Sequence, residues 1–235
     1  MEPSNPPQVV AFFDLDRTLI HPNSATLYAR HEYRLGRISR WQLARSLFYT
    51  LLYHLSMVDM NRAFGMVLSH YRGLPEQEMV ERTHRWFEAE IAHLLLPGAR
   101  QALLGHRAEG HLRVLLTSSS SYMSRLAVER WGLDDWIANR FPVDDGGRLT
   151  GEMVRPICYG AGKVTHAERW AQSRPIAWDA SYFYSDSLSD LPMLERVGHP
   201  RVVNPDPRLR RLAGRRGWPI LDWRNPKSGS PPSPA

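Results

Sequence analysis

The chain has 235 residues, 43% hydrophobic and 23% charged, with a single cysteine, Cys158. That is the composition of an ordinary globular protein long enough for one large domain, or for a core with a smaller insert. It excludes an intrachain disulfide and gives no sign of an oxidising compartment. The formal net charge is +6, and much of the excess lies in two arginine clusters, Arg30 to Arg45 and Arg208 to Arg216. No nucleic-acid module and no alternation of basic and aromatic residues accompanies them. We therefore read the clusters as solvated faces that attract anionic substrates, and expect no nucleic-acid partner.

Met1 to Gln8 is polar and proline-rich, without the basic and apolar regions of a signal peptide, so disorder and a cytoplasmic location are expected. Val9-Val10-Ala11-Phe12-Phe13 is an unbroken apolar run and predicts a strand buried on both faces. It stops on Asp14-Leu15-Asp16-Arg17-Thr18. From His21 to about Leu96 the pattern is helical. Ser39 and Gln42 have capping-box spacing; Ala44, Leu47, Phe48, Leu51, Leu52 and Leu55 then recur along one helix. A second helix is expected near Pro75, with Val80, Phe87, Ile91 and Leu94 on its apolar face. The Leu47 to Val58 segment is too short to span a bilayer, but its flanking arginines allow an interfacial helix as well as a packed one.

After Pro97-Gly98 helix and strand alternate, which predicts an α/β fold with a parallel sheet. Ala99 to Ala108 reads as a helix, and Leu112 to Thr117 as a second buried strand running into Ser118-Ser119-Ser120-Ser121. Met123 to Arg130 reads as a helix. Asp144-Asp145-Gly146-Gly147 reads as a hairpin turn with a return over Arg148 to Val154. Lys163 opens a helix that runs to about Gln172. Ser181 to Asp186 reads as a third strand, followed by Asp190 at a helix start. Val202-Val203 and Ile220-Leu221 suggest two further strands, and the Pro/Ser-rich tail 225–235 is expected to be disordered.

In a parallel sheet the ends of the three strands and Lys163 converge on the carboxyl edge, where open α/β sheets place ligands. Carboxylates held together there repel one another unless a cation binds. Oxygen donors without histidine or cysteine point to Mg²⁺. A hydroxyl, a lysine and backbone N–H groups complete a cradle for a dianion. This constellation predicts phosphoryl chemistry.

These motifs resemble the haloacid dehalogenase superfamily of aspartate-nucleophile phosphatases, and its phosphoserine-phosphatase-like branch (subfamily IB) most. The resemblance rests on Asp14-Leu15-Asp16-Arg17-Thr18, Thr117, Lys163 and Asp186-Ser187-Leu188-Ser189-Asp190, in family order from about Val9 to Trp223. It implies a Rossmann-like three-layer core at 9–20 and 97–224 with an inserted α-helical cap at 21–96. It further implies Asp14 as nucleophile and Asp16 as general acid and base. Mg²⁺ would be held by Asp14, the Asp16 carbonyl and Asp186, with Asp190 in support. Thr117 and Lys163 would bind phosphoryl oxygens, with the Ser118 N–H available beside them. Asp190 also has a reading as a routine helix N-cap.

Two positions depart from the family pattern. Arg17 stands where a small or neutral residue is commoner, and can pair with a carboxylate or meet an anionic substrate. Asn23 occupies the position at which phosphoserine phosphatases carry an acid for the substrate's ammonium, which argues against phosphoserine itself. The expected activity is hydrolysis of a small soluble phosphomonoester. A lipid-phosphate phosphatase at a membrane surface, a phosphotransferase and a non-catalytic phosphate-binding regulator are the alternatives. Oligomeric state is left open.

Overall fold

Val10–Phe13 form β1, with every residue buried. The computed structural model describes residues 6–54, 65 and 67–224. β1 lies inside a six-stranded sheet whose other members are β2 (Leu112–Ser120), β3 (Asp135–Asn139), β4 (Tyr182–Ser185), β5 (His199–Val203) and β6 (Ile220–Leu221). Their order is β3-β2-β1-β4-β5-β6, and every pairing is parallel. The chain thus leaves β1 toward one edge and returns to β1's other side with β4. That reversal is the topological switch point at which open α/β sheets open a crevice.

Successive β1 side chains enter opposite layers, as the two-residue period of a strand requires. Ala11 and Phe13 pack with Ala99 and Leu103 of α4 (Pro97–Ala108) and with Met123 and Ala127 of α5 (Ser121–Trp131). Val10 and Phe12 pack with Ala167 of α6 (Ala161–Ala171), Met193 and Leu194 of α7 (Leu191–Arg196), and Leu209 and Ala213 of α8 (Pro207–Arg216). Helices on both faces make an α/β fold on a parallel sheet, as the alternating pattern predicts, in the three-layer Rossmann-like form that the family resemblance implies. Between β1 and α4 lie α1 (Ser24–Arg34), α2 (Arg40–His54) and α3 (Glu76–Glu90).

Local signals set several of these boundaries. The Ser39/Gln42 capping box is present in both directions: the Ser39 N–H donates to Gln42 Oε1 at 2.7 Å, and the Gln42 N–H to Ser39 Oγ at 3.3 Å. Ser120 caps α5 by accepting from the Met123 N–H.

Some expectations change. β2 runs past Thr117 to Ser120. β3 has no counterpart in the sequence reading, because a short edge strand with polar ends shows neither an apolar run nor a clean alternation. The predicted return strand after Asp144 reduces to two isolated antiparallel bridges, Val143 with Leu149 across a tight turn and Arg148 with Pro75. Ile91 ends α3 rather than lying within it, and Leu94 falls beyond. Gln8, placed in the disordered lead by composition, forms backbone hydrogen bonds with Pro175 and Ala177. The Leu47 to Val58 segment lies partly outside the described residues, as do 1–5 and 225–235. Among the described residues no helix is long and apolar enough to cross a membrane.

Candidate active site

The β1 run ends at the switch point, and the first residue beyond it is Asp14, whose N–H donates to the Tyr184 carbonyl of β4 at 2.9 Å. Lys163, in the first turn of α6, reaches the same place. Its ammonium donates to Asp14 Oδ1 and to Asp190 Oδ2, each at 2.7 Å. Lys163 is 1% exposed, Asp190 2% and Asp14 8%, so this bridge is shielded from water. Ser185, the last residue of β4, donates its hydroxyl to Asp190 Oδ2 at 2.7 Å. Asp190 stands at the start of α7 but its side chain caps nothing. Its carboxylate is turned inward to Lys163, which answers the N-cap alternative.

Asp16 faces the other way, toward α1. Its carboxylate accepts from the Ser24 N–H at 2.7 Å, the Ser24 hydroxyl at 3.0 Å and Asn23 Nδ2 at 3.5 Å. Asn23 also caps α1, accepting from the Thr26 N–H at 3.0 Å. Between Asp14 and α1 the chain reverses at Arg17, which has φ +61°, a left-handed value uncommon for a side chain of this size. The guanidinium Nε lies 3.3 Å from Asp186 Oδ2. Of the two sequence readings for Arg17, pairing with a carboxylate is the one formed here. At the end of β2, Thr117 is buried and accepts from the Ser119 N–H at 3.1 Å, and the buried Ser118 hydroxyl has no hydrogen-bond partner.

The structure thus joins Asp14, Lys163 and Asp190 directly, Asp186 with Arg17, and Asp16 with Asn23. Ser24 and Ser185, which orient the two flanking acids, carry no signal in the sequence beyond ordinary serines near a helix start and a strand end.

Electrostatics tie these groups together. Burial pushes the Asp14 carboxyl up to about 7, against the pull of Lys163, and Asp190 adds to the rise. Burial raises Asp16 to about 6, opposed by the Ser24 hydrogen bonds. Asp186 is raised well above the usual carboxylate range by burial and then by Asp14. Four carboxylates thus share this edge with two cations, Lys163 and Arg17. Two negative charges remain uncompensated when all are ionised, the deficit a divalent cation would fill. Every donor is an oxygen; Lys163 ties Asp14 to Asp190, whereas Asp14 and Asp186 repel each other with no lysine bridging that pair.

A cavity of ≈ 250 Å³ opens beside Asp16 and Ser118, walled by Tyr28, Met79, Trp86 and Phe141. Among the described lining residues, Asp16 is the only carboxylate.

A strand-end aspartate pair, a buried lysine and a second strand-end acid thus meet at the switch point of a Rossmann-like sheet. The family model for haloacid dehalogenase-like hydrolases matches residues 11–195, and the chain belongs to that family. Over 94% of its length it is 33% identical to a Streptomyces azureus protein named for inhibition of morphological differentiation, covering 80% of that protein. It is 28% identical to a histidinol-phosphatase of Neisseria meningitidis, covering 92% of this chain and 99% of that one. It is 31% identical to a phosphoserine phosphatase of Mycobacterium tuberculosis, covering 91% and 70% respectively. Among solved structures, a protein of unknown function from Bordetella pertussis superposes with a TM-score of 0.82 at 28% identity, covering 93% of this chain and all of that one. The chain is accordingly a hydrolase of the phosphatase-bearing branch.

Proposed function

We propose that this hydrolase is a Mg²⁺-dependent phosphomonoesterase that works through an aspartyl-phosphate on Asp14. The observation that carries the reading is the buried Lys163 ammonium bridging Asp14 and Asp190, with Asp16 two residues from Asp14 on the same loop. The all-oxygen donor set and its charge deficit fit Mg²⁺. Asp14, the Asp16 carbonyl and Asp186 would hold it, and Asp190, already engaged by Lys163 and Ser185, would support from behind. When bound, the ion offsets the charge on Asp14 and on the phosphoryl oxygens.

Lys163 fixes the Asp14 carboxylate so that one oxygen attacks phosphorus. The Asp14–phosphorus bond forms as the bond to the leaving oxygen breaks, and Asp16 protonates that oxygen. A pKa near 6 suits the task, since the group then exchanges a proton readily near neutrality. Asp16, now a carboxylate, takes a proton from the water that attacks phosphorus, which frees Asp14 and inorganic phosphate. Ser24 and Asn23 hold Asp16 in place through both halves. Thr117, the Ser118 N–H and Lys163 receive the phosphoryl oxygens.

The segments α1, α2 and α3 serve as a helical cap, of which α1 and α3 wall the cavity over Asp16. Closure excludes bulk water and selects the substrate. The cavity suits a small organic phosphate. Its aromatic wall, with no described carboxylate besides Asp16, favours an uncharged organic part over one bearing an ammonium. That two relatives carry phosphatase names supports phosphomonoesters as the class. A second reading has one observation in its favour: α2 exposes Trp41 (74%) and Phe48 (56%), with Arg40 and Arg45 nearby. Such a face suits a lipid surface and a lipid-phosphate substrate.

Phosphate release from a panel of sugar, amino-acid, nucleotide and lysophospholipid phosphates, with Mg²⁺ or with chelator, tests both readings. Mg²⁺-dependent turnover that disappears in Asp14→Asn supports the mechanism. Preference for lysophospholipid phosphates, with co-sedimentation on anionic liposomes, would select the lipid reading. No turnover from folded wild type with Mg²⁺ bound would turn the assignment toward a phosphate-binding regulator.

A further inference from the structure

We infer that His106, Glu109 and His111 form a second cation site, for a borderline divalent ion such as Zn²⁺, at the edge of the sheet opposite the aspartates. His106 lies in the last turn of α4, Glu109 follows that helix, and His111 immediately precedes β2. Asp14 follows the carboxyl end of β1, which runs parallel to β2, so the histidines sit at the amino end of the sheet.

The backbone brings the three together. The His111 N–H donates to the His106 carbonyl at 2.9 Å and the Gly110 N–H to the Arg107 carbonyl at 3.1 Å. Gly110 supplies the left-handed residue, φ +73°, that this closure requires. In such a Schellman turn the residues at the positions of His106 and His111 lie against each other and commonly make an apolar contact. Here both are imidazoles. Their Nδ1 atoms are 2.9 Å apart, and Glu109 Oε2 is 3.3 Å from His111 Nδ1. One ligand atom from each residue lies within 4.8 Å of the other two.

The surroundings suit a cation. His106 is 6% exposed, and its Nε2 lies 2.9 Å from the Tyr184 hydroxyl. With Nε2–H donating to that oxygen, the Nδ1 lone pair points at His111, which is how a ligating histidine is held through its far nitrogen. Without an ion, two Nδ1 atoms this close must share a proton; a cation replaces it and engages Glu109 as well. Phe13 and Tyr182 wall the inner side, while Glu109 and His111 leave the outer side to water. Two imidazoles and one carboxylate with an open position select the Zn²⁺ class over Mg²⁺. Of the nearby arginines, Arg113 is paired with Asp134 at 2.6 Å and Arg201 lies over the Tyr182 ring. Their charge moderates the affinity.

The test is equilibrium dialysis of the full-length chain against Zn²⁺ in excess Mg²⁺, which fills the carboxylate site. One Zn²⁺ per chain is expected, and Co²⁺ in its place should give the visible absorption of a low-coordinate nitrogen and oxygen site. His111→Ala should abolish binding. Glu109→Gln, on the exposed turn and harmless to the fold, should weaken it by about tenfold or more, the scale seen even for outer-sphere losses. Both variants should retain phosphate release and the wild-type circular dichroism spectrum. Wild type that takes up no Zn²⁺, or Zn²⁺ bound as tightly by Glu109→Gln as by wild type, would overturn the assignment.

Discussion

Replacing the nucleophile candidate by its neutral isostere, Asp14→Asn, should stabilise the metal-free protein. Burial raises the Asp14 carboxyl from 3.8 to about 7 even with Lys163 in contact. The folded state therefore binds a proton that the unfolded chain has already released, and stability falls as pH rises from about 4 to about 7. Three pKa units at 1.36 kcal/mol each amount to about 4 kcal/mol above pH 7. The amide carries none of this cost, can still accept from Lys163, and leaves that ammonium paired one-to-one with Asp190. Imperfect replacement of the charge-assisted hydrogen bond returns about 1–2 kcal/mol, so a net gain of about 2–3 kcal/mol is expected at pH 8. For a chain of this size that is a Tm rise of roughly 4–12 °C. Urea and thermal unfolding followed by circular dichroism in chelator, at pH 5 and pH 8, measure it. The gain should shrink at pH 5, and Mg²⁺ should raise the Tm of wild type while leaving Asp14→Asn nearly unmoved. A variant no more stable than wild type at pH 8 without metal would refute the argument that burial, rather than the lysine, dominates this carboxylate.

Asp16→Asn should lower phosphate release by about 10²–10⁴-fold and remove the limb near pH 6 from the pH–rate profile; since burial also raises this carboxyl, to about 6, the amide should stabilise the metal-free protein above pH 6, by less than Asp14→Asn does. In Gly162→Ala the added carbon would meet the Ile157 carbonyl oxygen at 2.0 Å. The first turn of α6 must then shift and carry Lys163 with it, for a loss of about 100-fold in kcat and about 1–3 kcal/mol in urea unfolding. Glu32, on the buried face of α1, pairs with Arg37 at 2.8 Å and Arg82 at 3.6 Å. Glu32→Ala leaves both arginines without it and should cost about 3 kcal/mol in urea unfolding, the lower end for a broken buried pair because both cations reach water.

The parallel sheet was legible because its central strands are continuous apolar runs, a direct consequence of burial on both faces. Asp14, Asp16 and Asp186 were legible because they sit where such a run stops, and Lys163 and Asp190 because they open helices at the family spacing. Capping at Ser39 was legible too, since it joins residues three apart. The edge strand β3 was not, because its pairing comes from β2 and not from its own pattern.

What the sequence determined by itself is therefore what near neighbours in the chain determine: apolar runs, helix starts, turns, and the residue types at strand ends. Only the tertiary structure decided that Lys163 joins Asp14, 149 residues away, to Asp190, that Arg17 turns to Asp186, and that Ser24 and Ser185 hold the flanking acids. It also decided the strand order that makes β1 and β4 neighbours, and the helix closure that sets His106 against His111 and Tyr184. These contacts follow from packing two helical layers on one sheet. Their energies depend on burial, which no local pattern of residues encodes.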